Sequence, residues 1–219
     1  MEFEAVIFDL DGTLLDTIDD ITDALNALLL REGYNTITVE QGKALVGYGG
    51  RQLVRCAFMG QPMDDDELER RVKIYRKEYE KRLDNKTRLY DGIAEMLDII
   101  SSSGIKMAVL SNKNDRFTQA IAKKYFSRWH FERFIGEKPD TPTKPDPASA
   151  LEITRVLGVN CDKVAFIGDS ETDMRTANAA GMPAIGVLWG FRTRAQLESS
   201  GGCVFAEKPS DILKILEVE

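Results

Sequence analysis

Val6-Ile7-Phe8-Asp9-Leu10-Asp11-Gly12-Thr13-Leu14-Leu15 is the stretch on which the fold turns. A short apolar run delivers two carboxylates to its C-terminal end, and a glycine turn follows at once. In an open parallel sheet the ligand crevice lies outside the carboxyl ends of the strands. Asp9 and Asp11 stand where this strand stops, so one can attack while the other moves protons. Taken alone, the segment also reads as a plain strand running into an Asp-rich turn, since Asp and Gly are common turn formers.

Three later segments repeat the arrangement of a strand end or a helix start carrying polar groups. Lys106-Met107-Ala108-Val109-Leu110 reads as a second buried strand, ending in Ser111-Asn112 just before a helical stretch from about Asp115 to Ser127. A hydroxyl and backbone N–H groups there can hold phosphate oxygens, although the pair by itself is only a turn and N-cap signature. Lys144-Pro145-Asp146-Pro147 opens a helix toward Leu157, with Pro147 at its first turn and Lys144 able to reach inward as a fixed cation. Lys138-Pro139-Asp140 is a competing lysine segment. Val164 to Gly168 is a further buried strand, followed by Asp169 and, four residues on, Asp173 on the same side of the turn. Asp173 serves equally as a capping acid in a helix's first turn, which the macrodipole favours. That helix ends in Gly181-Met182-Pro183.

The pattern Asp-x-Asp-Gly-Thr over Asp9 to Thr13, with the other three segments in the same order, resembles the four motifs of the haloacid-dehalogenase-like superfamily of phosphohydrolases. The resemblance spans the whole chain. It implies an α/β fold: a Rossmann-like parallel sheet core flanked by helices, with an all-helical cap inserted after the first strand. It also implies Asp9 as nucleophile, Asp11 as the acid and base, and Mg2+ held by Asp9, the Asp11 carbonyl oxygen and Asp169, with Asp173 on the metal or beside it. Ser111 and Asn112 fall at the phosphate-binding second motif, and Thr13 at the position that orients the Asp9 loop. Lys144 is preferred to Lys138 as the third motif, because Pro147 and the amphipathic run after it match the family's spacing.

The helical pattern agrees with an inserted cap. Residues from about Thr17 to Leu83 read as wholly helical: Ile18 to Glu32, a glycine break at Gly47-Tyr48-Gly49-Gly50, a helix after Arg51, and a charged helix from Asp64 to Leu83. Strand and helix alternation resumes at Asp91-Gly92. The expected organisation is therefore a core of residues 1–16 and 84–219 and a cap of residues 17–83. The run Asp64-Asp65-Asp66-Glu67 reads as the acidic start of a helix and not as a metal site. Leu45 to Val54 is similar to the Val-Gly-x-Gly segment of the phosphoglycolate phosphatase branch. There Gly47 and Gly49 would offer N–H donors, and Arg51 a guanidinium, to an anionic group on the substrate. A plain helix-breaking loop is the simpler alternative.

Composition narrows the partners. The chain has 219 residues, 43% of them hydrophobic, and a formal net charge of −7. That charge argues against a general nucleic-acid binder, so a phosphoester must be captured by local cations, N–H groups and metal. Cys56, Cys161 and Cys203 form no Cys-x-x-Cys pair and read as buried thiols of a reducing compartment. His130 is the only histidine, which leaves no inventory for a zinc cluster or a Ser-His-Asp triad; it is expected to pack or to sit in a loop near Trp129. The apolar runs are too short for a membrane span and the first residues lack a signal-peptide pattern, so a cytoplasmic protein with no membrane partner is expected. Monomer and dimer both stay open.

The resulting reading is a magnesium-dependent phosphomonoester hydrolase acting on a small phosphoester, 2-phosphoglycolate first. Phosphatases of sugar phosphates, nucleotides or pyrophosphate, a phosphosugar mutase and a non-catalytic phosphate-binding protein are the alternatives. A dehalogenase is disfavoured, because its reaction has no alkoxide to protonate and Asp11 would be idle.

Overall fold

The computed structural model describes residues 2–58 and 61–218. Strand β1 (Ala5–Phe8) is buried over all four residues and leads into Asp9. A two-residue strand, β2 (Leu15–Asp16), then carries the chain into four helices: α1 (Ile18–Arg31), α2 (Val39–Leu45), α3 (Gly49–Ala57) and α4 (Asp65–Glu80). The chain returns through β3 (Arg88–Leu89), which pairs antiparallel with β2. From there strands and helices alternate: α5 (Ile93–Ser103), β4 (Lys106–Asn114), α6 (Asp115–Tyr125), β5 (Arg133–Glu137), α7 (Ala148–Leu157), β6 (Val164–Gly168), α8 (Glu171–Ala180), β7 (Ala184–Val187), α9 (Arg194–Ser199), β8 (Val204–Ala206) and α10 (Pro209–Leu216).

Six strands form one parallel sheet in the order β5-β4-β1-β6-β7-β8. Side chains alternate across it with the period of two that a pleated strand imposes. Val6 and Phe8 of β1 join a core with Ile93, Leu97, Ile212 and Leu216, whereas Ala5 and Ile7 face Ile153, Leu157 and Met174 on the other side. Both faces of a central parallel strand are covered, which is why it reads as a continuous apolar run. The carboxyl ends of β1, β4 and β6 lie side by side, so the residues after Phe8, Leu110 and Gly168 meet above the sheet.

Helices α1 to α4 enclose a third core, joined by Phe117 of α6, with Leu25, Leu28 and Leu29 of α1 and Leu68, Val72, Tyr75 and Tyr79 of α4. The acidic run opens α4 as expected: the Asp64 carboxylate accepts from Glu67 N at 2.8 Å, with Asp65, Asp66 and Glu67 in the first turn. Buried Asp20 accepts from the backbone N–H groups of Lys86 and Thr87 and from the Thr87 hydroxyl, which ties the returning chain to α1.

Three sequence expectations need adjusting. Regular structure resumes at Arg88, ahead of Asp91, because a strand of two residues is too short to show a period. Helix α2, capped by a reciprocal Thr38–Gln41 pair, forms where no separate helix was anticipated. The thiols are not all buried: Cys203 is exposed and Cys56 and Cys161 are half-buried. Cys203 stands just ahead of the short outer strand β8, where less of the fold covers it. His130 sits in an exposed loop beside Trp129 with Nε2 3.2 Å from Glu132. Among the described residues no helix is long and apolar enough to cross a membrane.

Candidate active site

Asp9, Asp169 and Asp173 are brought together above the sheet, one carboxylate oxygen of each within 4.8 Å of the others. Lys144 lies among them, its Nζ donating to Asp9 Oδ1 and to Asp173 Oδ1 at 2.6 Å each. All four side chains are buried. Lys138, the competing lysine, is half exposed on the surface and stands 3.7 Å from Asp115 instead.

Asp173 and Asp169 are held from behind. Asp173 Oδ2 accepts from Ser170 N and Ser170 Oγ, so the residue caps α8 and pairs with Lys144 at once. Asp169 Oδ2 accepts from Phe191 N at 2.7 Å and Oδ1 from the Thr13 hydroxyl at 3.3 Å. Thr13, expected to orient the Asp9 loop, donates its hydroxyl to Asp169 and so ties that loop to the end of β6. The fit around Asp169 requires glycine: a Cβ at Gly12, whose φ is +89°, or at Gly190 would come within 2.3 Å of that side chain.

The charges decide what this cluster can hold. Burial pushes the Asp9 carboxyl up to about 7, more than the Lys144 ammonium draws it down, and Asp173 and Asp11 push in the same direction. Burial also raises Asp169 well above the ordinary carboxylate range, with Asp9 and Asp173 adding to it. Burial opposes the charge on Lys144, but Asp173 and Asp9 outweigh it and hold the ammonium above the usual lysine range. With all three buried carboxylates ionised around one ammonium, two negative charges would be unbalanced. An all-oxygen donor set in that condition suits a divalent metal ion, which removes the repulsion that raises Asp9 and Asp169.

Asp11 lies beside the cluster on a different set of partners. Its two carboxylate oxygens both accept from Lys113 Nζ at 2.7 Å, and Oδ1 also accepts from the Thr17 hydroxyl at 2.7 Å. Lys113 is nearly buried and lies over the Tyr79 ring at 4.8 Å. It went unremarked in the sequence, although it directly follows Ser111-Asn112. Ser111 Oγ accepts from Lys113 N at 3.2 Å within an irregular end of β4, which leaves its hydroxyl hydrogen available to an anion. Asn112 proves to be a brace: its amide donates to Gly47 O and Lys144 O, and its oxygen accepts from Lys144 N, each at 2.9 Å.

A cleft opens over these residues between the sheet and the helical insert. Asp9, Asp11, Ser111, Lys144 and Asp169 line it from below, with Gly47 and Gly49 at its side. Its upper wall is apolar, built from Ile21, Leu53, Tyr75, Tyr79 and Phe117. Arg51, expected here, lies outside: its guanidinium pairs with Asp65 and Glu69 of α4. A side chain two residues into α3 follows the helix surface toward the acidic start of α4, and the glycines before it do not turn it inward. Arg76 of α4 is the described cation of the insert that lines the cleft. Arg192 also lines it, donating from Nη1 to Lys43 O and from Nη2 to Val46 O at 2.6 Å each, while Nε pairs with Glu171. Neither arginine carries a local sequence signal.

The haloacid dehalogenase-like hydrolase family model matches residues 6–187. The chain is 31% identical over 191 residues to a phosphoglycolate phosphatase of Mesorhizobium japonicum, covering 86% of this chain and 84% of that protein. It is 34% identical over 188 residues to a phosphoglycolate phosphatase of Xanthomonas campestris pv. campestris, with coverage of 86% and 84%. A solved structure from Lactobacillus delbrueckii subsp. bulgaricus superposes with a TM-score of 0.92 at 31% identity, over 99% of each chain.

Proposed function

Because this chain belongs to the haloacid dehalogenase-like hydrolases and is a phosphatase, we propose that it hydrolyses 2-phosphoglycolate with Mg2+ through an acyl phosphate on Asp9. The observation that carries this reading is the buried cluster of Asp9, Asp169, Asp173 and Lys144 with Asp11 at its edge. The phosphoglycolate phosphatases among its relatives support the choice of substrate.

The Asp9 carboxylate attacks phosphorus and the bond to the leaving oxygen breaks, so the phosphoryl group passes to Asp9 Oδ. Asp11 gives its proton to the leaving alkoxide, then takes one from the water that cleaves the acyl phosphate. Lys113 and Thr17 fix the direction in which Asp11 can do so. Ser111 and Lys144 face the non-bridging phosphate oxygens and stabilise the charge that develops on them. Asp9, Asp169 and the Asp11 carbonyl would hold Mg2+, with Asp173 fixing Lys144 beside them; the ion supplies charge neutralisation between carboxylate and phosphate. Arg76 takes the role first read at Arg51 and meets the substrate carboxylate from the cap. Residues 17–83 act as that cap, closing over the cleft and excluding water. A cytoplasmic location suits both the substrate and the free thiols.

The test is a panel of phosphomonoesters assayed with Mg2+: 2-phosphoglycolate, sugar phosphates, nucleotides and pyrophosphate. The highest kcat/KM is expected for 2-phosphoglycolate, and Asp9→Asn should reduce every turnover to background while the protein stays folded. Near-normal turnover in that variant would falsify the covalent route.

A further inference from the structure

Consecutive residues of the loop after β7, Trp189 to Arg192, touch three parts of the molecule that are distant in the chain. Trp189 Nε1 donates to Thr13 O at 2.9 Å, on the turn that follows Asp9. Gly190 lies against that turn and against Asp169, since a Cβ there would come within 2.3 Å of Asp169 Cβ and 2.5 Å of Gly12 O. Phe191 N donates to Asp169 Oδ2 at 2.7 Å. Arg192 then reaches the helical insert, where Nη1 donates to Lys43 O and Nη2 to Val46 O at 2.6 Å each.

The strap made by these residues has little slack. Arg192 is buried, and its third nitrogen, Nε, donates to Glu171 Oε2 at 2.9 Å. Glu171 stands two residues beyond Asp169 in the first turn of α8, so the guanidinium is fixed to the Asp169 loop from a second side. The insert seats directly on it: a Cβ at Gly47, whose φ is +128°, would stand 3.6 Å from Arg192 Nη2. A donor to a metal-ligating carboxylate fixes the direction of the ligand, and its loss typically weakens metal binding. Here that donor is the Phe191 N–H, and the next residue grips the insert. Release of Lys43 O and Val46 O would leave a buried guanidinium without two acceptors and free the strap that aims Asp169.

We propose that Arg192 is a positioning residue which, through Phe191, couples Mg2+ binding at Asp169 to the seating of the turn between α2 and α3. The inference rests on the reading that Asp169 holds Mg2+ and on nothing about the substrate. Coupling between two sites is reciprocal, so metal tightens the seating by the same factor as seating tightens the metal.

The experiment uses the full chain without substrate. Isothermal titration calorimetry gives the Kd for Mg2+, and hydrogen exchange read by mass spectrometry gives the protection of residues 43–50 with Mg2+ and with chelator. In the wild type Mg2+ should slow exchange over residues 43–50 by about 10-fold or more, and by a larger factor than in α10. Arg192→Met should raise the Kd by a factor of the same order and abolish the effect of Mg2+ on residues 43–50. Arg192→Lys, which keeps a cation able to reach one of the two carbonyls, should fall between. A Kd within about 2-fold of the wild type in Arg192→Met overturns the proposal. So does wild-type exchange at residues 43–50 that ignores Mg2+, or that slows no more than exchange in α10, which marks general stabilisation. Asp169→Asn separates the two readings: full Mg2+ affinity in that variant removes the metal from Asp169, whereas lost affinity there with Arg192→Met unchanged removes the coupling alone.

Discussion

The two walls of the cleft are built on opposite plans. On the sheet side the acids around Asp9 have their geometry fixed by several partners each, Asp173 by Ser170 and Lys144, Asp169 by Phe191 and Thr13, Asp11 by Lys113 and Thr17, while Asp9 itself is held by Lys144. On the helical side the main-chain carbonyls of Lys43, Val46 and Gly47 are gripped by Arg192 and Asn112, alongside side-chain contacts of α4 such as Glu80 with Arg116 and Tyr79 with Phe117. The reacting groups are thus held by side-chain networks that single substitutions destroy, whereas the helical insert is docked in part through backbone that any sequence supplies. Helices attached in this way can vary their lining residues without disturbing the chemistry, which would place substrate choice on residues such as Arg76.

The largest effect that can break this contrast is on the sheet side. Lys144→Met should lower kcat by about 10² or more, the range for a lost donor at a developing charge. It should also destabilise the fold by about 3–5 kcal/mol, because it strands buried carboxylates without their ammonium. Lys138→Ala should do neither, since an exposed lysine contributes little. Comparable losses in both variants, read by steady-state kinetics and thermal unfolding, would contradict the assignment.

Next in size is the linkage between metal and pH. In the metal-free protein Asp9 carries a carboxyl raised to about 7, so the folded state holds a proton there that the unfolded chain has already released. Its contribution to stability is therefore lost as the pH rises from the ordinary carboxylate range to about 7. Asp169 is shifted in the same direction and by the same cause. Bound Mg2+ replaces those protons, so the gain in Tm on adding it should grow as pH rises through that window. A gain independent of pH, measured by thermal unfolding with Mg2+ and with chelator, would place the metal elsewhere.

Arg192→Met tests the docking of the cap. It removes the donors to Lys43 O and Val46 O but no group of the aspartate cluster. KM should rise about 10-fold or more, as for a lost charged hydrogen bond that holds the closed form, with a smaller change in kcat. A pure loss of kcat at constant KM would instead place Arg192 among the reacting groups. The smallest effect belongs to Arg51→Ala, because that guanidinium spends itself on Asp65 and Glu69 at the surface. Its kcat/KM for 2-phosphoglycolate should stay within about 2-fold of the wild type, and a selective loss for carboxylate-bearing esters would restore Arg51 to the cleft.

What could be read from the chain follows the same division. The strand ends announce themselves, because an apolar run that stops at an acid or a hydroxyl is a local pattern: Val6 to Asp11, Lys106 to Ser111 and Val164 to Asp169 all lie where that pattern puts them. Lys144 was separable from Lys138 only by the helix that follows it. The partners of these groups were not legible, since Thr13 reaches Asp169 across 156 residues and Lys113 reaches Asp11 across 102. Arg51 misled because its glycines are local and its destination is not. Arg76 and Arg192 meet the cleft only through the packing of α4 and the loop after β7, and no spacing in the sequence encodes that meeting.

The central claim, that Asp9 becomes phosphorylated, is tested most directly on the Asp11→Asn variant. That variant retains the nucleophile but lacks the base for the second step, and p-nitrophenyl phosphate has a leaving group that needs no proton. After mixing with this ester and Mg2+ and rapid acid quench, peptide mapping by mass spectrometry should find one phosphoryl group on the peptide carrying Asp9. A quenched protein with no covalent phosphate, or with phosphate on a peptide lacking Asp9, would contradict the account.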